Sequence, residues 1–192
     1  MRIAIHVFTD AEELDWVGPF EVLQTWALRD ETVEVVLVAD GPGPVRCAKG
    51  LRVLPDTTWD ELGPIDVLVW PGGRGTRAQL GQPAVGDRVR ALHAGGTLLV
   101  SVCTGALILA EAGLLDSRPA TSHWSVLDRL AELGTDTEVR GEDRFVDDGD
   151  IVTASGVSAG IDVALHLVAR LASVEMAREV RRAIQYDPQP PV

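Results

Sequence analysis

The sequence predicts an α/β fold with a doubly wound, mostly parallel sheet and helices on both faces. Short runs of Val, Ile and Leu alternate along the chain with segments of helical composition. Continuous apolar runs are typical of strands buried on both faces, and their alternation with helices is typical of parallel sheets. One such strand, at residues 97–102, runs directly into a helix at Cys103. Because sites in these sheets lie beyond the carboxyl ends of the strands, we expect the functional site there.

The first half of the chain predicts three buried strands, at residues 2–8, 33–39 and 65–70. Residues 9–15 are predicted to form a polar loop. Pro19 follows where the first turn of a helix at 20–28 is expected, since proline is favoured in that turn. Apolar segments on either side of Lys49-Gly50 predict a hairpin with strands at 45–48 and 51–54.

The second half predicts a strand at 151–154 and two short extended segments around a polar turn, at 137–140 and 144–146. Helices are predicted at 83–93, 106–112, 123–133, 159–171 and 174–184. The segment 155–160 lacks the spacing of a phosphate-binding loop, so we interpret it as a helix start capped by serine. The length favours one domain over residues 1–192.

Composition narrows the class of protein. The net charge of −12 argues against nucleic-acid binding, because phosphates would be repelled. No apolar run approaches the roughly 18 residues of a membrane span. The apolar residues near the N-terminus soon give way to acidic ones, which indicates a first strand rather than a signal peptide. The two Cys and four His lack metal-ligand spacing, so we expect no metal, and we also expect no cofactor. Two Cys in a chain without a signal peptide favour reduced thiols and a cytoplasmic location.

Cys103 lies in the pattern of a nucleophile elbow, with Ser101 two residues before it and Gly105 two residues after it. A strand that turns at once into a helix needs small neighbours, and it holds the turning residue in a strained conformation above the sheet. The N-terminus of the following helix would favour the thiolate, which is the reactive form. The alternative is a buried structural cysteine. We interpret Cys47, in a predicted hairpin strand, as a packing residue.

Asp15 precedes the first predicted helix and admits two interpretations. It lies between Leu14 and Trp16, where partial desolvation would raise the pKa of its carboxyl and suit it to proton transfer near neutral pH. Alternatively, it caps the helix, because Asp is favoured at that position.

Glycines follow another buried strand, in the Pro71-Gly72-Gly73 turn. Glycine allows backbone N–H groups to approach a substrate atom that bears negative charge, and the N–H of Thr104 could do the same. The alternative is a plain turn. His123, next to Trp124, is a candidate base for Cys103 or a residue that packs against the site wall.

Several segments resemble the ThiJ/PfpI superfamily, within the class I glutamine-amidotransferase-like fold. They are residues 14–19 (LDWVGP), 71–73 (PGG), 101–105 (SVCTG) with 112–115 (AGLL), and 121–124 (TSHW), extended by 154–162 (ASGVSAGID) and 185–191 (QYDPQPP). The resemblance covers nearly the whole chain. The chain most closely resembles the isonitrile hydratase branch, and it also resembles the ligand-like domain attached to AraC-type regulators.

The resemblance implies a flavodoxin-like sandwich and a homodimer, with Cys103 and Asp15 as the catalytic residues. The glyoxalase and chaperone-like branches more often place Glu where Asp15 stands, which favours the hydratases. The peptidase-like branch has His where Thr104 stands, so peptidase activity is not expected.

The implied activity is that of a lyase adding water to an isonitrile, a small-molecule substrate, through a Cys103 thioimidate with Asp15 as acid and base. Thr104, Gly72 and Gly73 would orient the adduct, and Trp16 and Trp124 would line an apolar pocket. One alternative is a glyoxalase-type enzyme acting on reactive carbonyls. Another is a non-catalytic small-molecule or redox sensor. A regulator would need a helix-turn-helix region, and because the acidic chain ends at Val192 we do not expect direct DNA binding.

Overall fold

Eleven strands and seven α-helices lie within residues 1–189, the part of the chain that the computed structural model describes. The strands are β1 (Arg2–His6), β2 (Glu34–Ala39), β3 (Val45–Arg46), β4 (Arg52–Val53), β5 (Thr57–Thr58), β6 (Val67–Trp70), β7 (Leu98–Val102), β8 (Pro119–Ala120), β9 (Glu138–Val139), β10 (Phe145–Asp147) and β11 (Ile151–Ala154). The helices are α1 (Glu13–Ala27), α2 (Thr76–Gln79), α3 (Pro83–Ala94), α4 (Ala106–Glu111), α5 (Leu127–Leu133), α6 (Ala159–Leu171) and α7 (Val174–Ala183).

Seven strands form the central sheet, in the order β10-β11-β7-β6-β1-β2-β5. All neighbouring pairs in this sheet are parallel except β10 with β11. The central strands β6, β7 and β11 are buried along their whole length, as the apolar runs predict. The predicted α/β fold with a mostly parallel, helix-covered sheet is confirmed, and so is the β3–β4 hairpin.

Helix α1 corrects the prediction for the N-terminal region, because it begins at Glu13 and contains Pro19. A proline inside a helix removes the hydrogen bond to the carbonyl four residues earlier, here that of Asp15. Helix α6 packs closely at this place: a Cβ added to Gly160 would lie 3.0 Å from the Pro19 ring and 3.5 Å from the Asp15 carbonyl oxygen. Asp15 is therefore carried on the first turn of a helix and not on a loop.

The predicted extended segments on either side of the polar turn are confirmed as β9 and β10. Strand β9 pairs in parallel with β8, and β10 pairs with β11. The predicted helix at 123–133 begins with a 3₁₀ turn, Trp124–Val126, and continues as α5. The last two residues of the 185–191 motif, Pro190 and Pro191, lie outside the described residues. Within residues 1–189, no helix is both long enough and apolar enough to span a membrane.

Candidate active site

Four segments meet at the carboxyl edge of the sheet. They follow the neighbouring strands β1, β6, β7 and β11, and they carry Asp15, Gly72, Cys103 and Val157 respectively, with Asp15 on the first turn of α1. Because these strands are parallel, their carboxyl ends all point to one edge, where open α/β sheets place their sites.

Cys103 turns the chain from β7 into a 3₁₀ turn, Cys103–Gly105, that leads into α4. Its φ is +59°, a left-handed conformation that is strained for a residue with a side chain. The predicted need for a small neighbour is met by Gly105, since a Cβ there would lie 2.3 Å from the Trp70 carbonyl oxygen. The sulfur is nearly buried, and the backbone N–H groups of Thr104 and Val157 donate to it.

Asp15 is fully buried, and its carboxyl interacts with the side chain of Cys103. The N–H of Gly72 donates to its Oδ2 over 2.9 Å. The other oxygen, Oδ1, is buried and accepts no hydrogen bond from the residues that the structure describes. The capping interpretation of Asp15 is wrong, because Glu12 occupies the N-cap position of α1 and the Asp15 side chain binds Gly72 instead. One carboxyl oxygen is thus fixed and the other is free for chemistry.

The pKa values of both side chains are raised. Burial raises the pKa of Asp15 to about 7, although the N–H of Gly72 favours its charged form. Burial, together with the nearby charge of Asp15, raises the pKa of Cys103 to about 12. The expected lowering of the Cys103 pKa is therefore wrong. Helix α4 has only six residues, and desolvation and Asp15 outweigh the two N–H donors at the sulfur.

The raised pKa values of Asp15 and Cys103 determine how the two groups share protons. Because the two groups interact, their pKa values belong to the pair and not to either residue alone. At neutral pH the pair holds at least one proton between sulfur and carboxyl. A protonated thiol beside a carboxylate that can accept its proton is a nucleophile paired with its base.

The hydroxyl of Thr104 holds the glycine turn in place. It accepts from the Gly73 N–H over 3.0 Å and lies 3.0 Å from the Thr76 hydroxyl. A Cβ on Gly72 would lie 2.4 Å from the Thr104 nitrogen, so glycine is required there. The N–H groups of Gly72 and Gly73 are bound to Asp15 and Thr104, which corrects their predicted role as free donors to substrate. Gly72 instead orients the carboxyl of Asp15, and Thr104 holds the Gly73 turn.

A pocket of 320 Å³ adjoins Cys103 through Val157, which lines it and whose N–H interacts with the Cys103 sulfur, although Cys103 itself does not line it. Its walls come from three segments of the chain, and its residues are Ser122, His123, Trp124, Gly141, Glu142, Asp143, Arg144, Ser155, Gly156 and Val157. Ser122 ties the wall to the elbow, because its hydroxyl donates to the Cys103 carbonyl oxygen over 2.7 Å. The side chain of Trp124 is 78% exposed, which leaves it free to contact a bound molecule.

His123 is part of the pocket wall. Its Nδ1 accepts from the Ser125 N–H over 3.3 Å and lies 2.8 Å from the Ser125 hydroxyl. Its ring rests on Gly156, where an added Cβ would come within 2.7 Å of it. These contacts support the packing interpretation over the role of a base.

Trp16 does not join the pocket. It is buried in the core near Cys47, and its indole N–H has no hydrogen-bond partner among the described residues. Its predicted place in the wall of a substrate pocket is therefore not supported. Cys47 is fully buried, which agrees with its interpretation as a packing residue.

Sequence reasoning missed Val157, which brings its N–H to the sulfur with a φ of +44°. Ser158 occupies the N-cap position of α6 without a capping hydrogen bond from its side chain, so the interpretation of this turn as a serine cap is wrong. Nothing in the sequence marks a β-branched residue for a left-handed conformation, because strain is set by the surrounding structure. Within residues 1–189, no cluster of three or more His, Cys, Asp or Glu could hold a metal ion.

Comparisons of the sequence and the structure with known proteins identify relatives of this chain. A sequence model of the DJ-1/PfpI family matches residues 1–170. An isonitrile hydratase from Pseudomonas putida is 37% identical over 191 residues, covering 100% of this chain and 81% of the relative. The HTH-type transcriptional regulator CdhR from Pseudomonas aeruginosa is 38% identical over 146 residues, covering 76% of this chain and 42% of the regulator. The crystal structure of a ThiJ/PfpI family protein from Pseudomonas syringae gives a TM-score of 0.90 at 34% identity, covering 100% of this chain and 77% of that chain.

Proposed function

The chain belongs to the DJ-1/PfpI family, and we propose that it acts as an isonitrile hydratase, which adds water to R–N≡C and releases an N-substituted formamide. The observation that carries the proposal is the buried carboxyl of Asp15, which interacts with the side chain of Cys103 and whose Oδ1 has no hydrogen-bond partner among the described residues. The reaction needs a sulfur nucleophile and a group that moves a proton from sulfur to carbon. The pair supplies both.

In the first step, the sulfur of Cys103 attacks the terminal carbon of the isonitrile and forms a C–S bond. The Asp15 carboxylate takes the thiol proton and then delivers it to the same carbon. The product is a thioimidate, R–N=CH–S–Cys103. A carboxyl with a pKa of about 7 is suited to this exchange, because it accepts and releases a proton with similar ease near neutral pH.

In the second step, water adds to the thioimidate carbon. Asp15 takes a proton from the water and supplies one to the nitrogen, which gives R–NH–CH(OH)–S–Cys103. The hydroxyl then becomes the formamide carbonyl as the C–S bond breaks. Its proton returns through Asp15 to the sulfur, and the N–H groups of Thr104 and Val157 stabilise the departing sulfur.

The pocket that adjoins Cys103 supports an organic R group of modest size, since its volume is 320 Å³. The exposed indole of Trp124 offers an apolar surface at its rim. The R group would lie against Trp124 and His123, while the isonitrile carbon reaches Cys103.

The proposal is tested by incubating the protein with an alkyl isonitrile and measuring the corresponding N-alkylformamide by chromatography. Formamide should form with the wild type and with Cys47→Ala, but not with Cys103→Ala. Parallel assays with methylglyoxal address the glyoxalase alternative. Lactate formation without formamide would replace the proposal with that alternative.

The sensor alternative is supported by the partial match to the regulator CdhR. It predicts binding or oxidation at Cys103 without turnover of either substrate. Homodimer formation and a cytoplasmic location remain predictions. A species of 20.6 kDa in sedimentation at micromolar concentration would contradict the dimer.

A further inference from the structure

Three side chains connect the segment after α7 to the rim of the pocket. The hydroxyl of Tyr186 donates to Asp162 Oδ1 over 2.9 Å. Arg144 Nε donates to the other oxygen, Asp162 Oδ2, over 2.6 Å. Asp162 therefore joins helix α6 to two separate parts of the chain. We call this set the Arg144–Asp162–Tyr186 tether.

Arg144 holds the turn after β11 at both ends. Its Nη2 donates to the Ser158 hydroxyl over 2.8 Å, and its backbone carbonyl accepts from the Ser155 N–H over 3.0 Å. Val157 lies between these two points and has a φ of +44°. A β-branched residue keeps such a conformation only where its surroundings fix it. The N–H of Val157 is one of the two backbone donors at the Cys103 sulfur.

We propose that Asp162 is a positioning residue of the active site. It fixes Arg144, and Arg144 fixes the turn 155–158 so that the Val157 N–H faces the Cys103 sulfur. The contact with Tyr186 orients the carboxylate of Asp162 from the opposite side. The kinetic part of this inference depends on the proposed isonitrile hydration, whereas the structural part does not.

The tether positions the Val157 N–H and contributes little to the free energy of unfolding. The side chains of Arg144 and Asp162 are 48% and 24% exposed, and ion pairs near solvent contribute little to stability. Removing the tether should therefore leave the melting temperature almost unchanged. It should change the hydrogen bond at the sulfur, where the leaving thiolate needs a donor in the second step.

The structural test follows the backbone amide of Val157 in ¹⁵N–¹H correlation spectra. Asp162→Ala should move this resonance toward its position in Cys103→Ala, which lacks the sulfur acceptor. Tyr186→Phe should move it in the same direction by a smaller amount. The matched control is Asp147→Ala, because Asp147 links β10 to α6 through His166 and Arg170, without contacting Arg144.

The kinetic test uses the same variants with an alkyl isonitrile. For Asp162→Ala we expect kcat to fall about tenfold with little change in KM, the scale of one lost hydrogen bond to a charged group. Because Arg144 and Asp162 act in one chain, the double variant Arg144→Ala/Asp162→Ala should have the kcat of Arg144→Ala alone. Asp147→Ala should keep the wild-type kcat.

A Val157 resonance that stays at its wild-type position in Asp162→Ala would overturn the proposal. So would an equal shift in Asp147→Ala, which would indicate a general loosening of α6. If no variant or wild type converts an isonitrile, the proposed function fails while the amide shift still decides the role of Asp162.

Discussion

The two cysteines of this chain are both buried, and burial raises the pKa of each, yet they lie in different environments. Cys47 lies next to Trp16, deep in the core. Cys103 has a strained backbone, two backbone N–H donors and the carboxyl of Asp15 beside it. The difference shows that a low thiol pKa is not what singles out Cys103. A neighbouring proton acceptor does.

Replacing each cysteine in turn gives the largest expected effect. Cys103→Ala removes the nucleophile and should abolish isonitrile hydration, while the fold survives. Cys47→Ala should retain activity, because the Cys47 sulfur contacts Trp16 and not the pocket. Formamide production and circular dichroism measure the two properties.

Activity of Cys103→Ala within a few-fold of wild type would remove Cys103 from the mechanism. A comparable loss of activity in folded Cys47→Ala would contradict the prediction that activity depends on Cys103 and not on Cys47.

Asp15→Asn should give the second-largest loss of activity, because it leaves the thiol without its proton acceptor. The amide oxygen can still accept from the Gly72 N–H, but the amide cannot carry the proton. General acid–base catalysis contributes about 10²–10⁴-fold, so kcat should fall by that order. Steady-state kinetics with an isonitrile measure the change, and normal turnover would dismiss proton transfer by Asp15.

The raised pKa of Asp15 also predicts how stability changes with pH. The carboxyl ionises near 3.8 in the unfolded chain and near 7 in the folded protein, so between these values the folded state binds more protons. The free energy of unfolding should therefore fall as pH rises through this window, by on the order of 4 kcal/mol. Asp15→Asn should lack this component, which urea unfolding of both proteins at pH 4 and pH 8 measures. Parallel curves for the two proteins would contradict it.

Alkylation by iodoacetamide should show the smallest difference between the two sites. Both thiols are protonated at neutral pH, since burial raises both pKa values. Cys103 should still react several-fold faster, because Asp15 can accept its proton and a pocket adjoins it. Mass spectrometry of peptides from timed samples measures both rates. Equal alkylation rates would contradict the expected difference between Cys103 and Cys47.

Much of the fold could be predicted from local patterns. The continuous apolar runs marked β1, β2, β6, β7 and β11 because these strands are buried on both faces. The elbow at Cys103 could be predicted because its close packing on Trp70 requires glycine at position 105. Such requirements are visible in the sequence, since they restrict which residue types fit.

Other features depend on contacts between distant segments. Pro19 suggested a helix start, but the packing of Gly160 against it allows α1 to continue through the proline. The raised pKa of Cys103 results from burial and from the charge of Asp15, which lies far away in the sequence, whereas the sequence shows only the helix that follows Cys103. Val157 has no sequence signal, because its strained turn is fixed by residues elsewhere in the chain.

The central claim is that buried Asp15 exchanges a proton with Cys103 near neutral pH. A ¹³C NMR titration of the Asp15 carboxyl carbon in the wild-type protein tests it directly, with the resonance assigned from Asp15→Asn. We expect a midpoint near pH 7 in the wild type. A wild-type midpoint close to the ordinary value of 3.8 would contradict the proposal, because so weak a base would not take the proton of the Cys103 thiol near neutral pH.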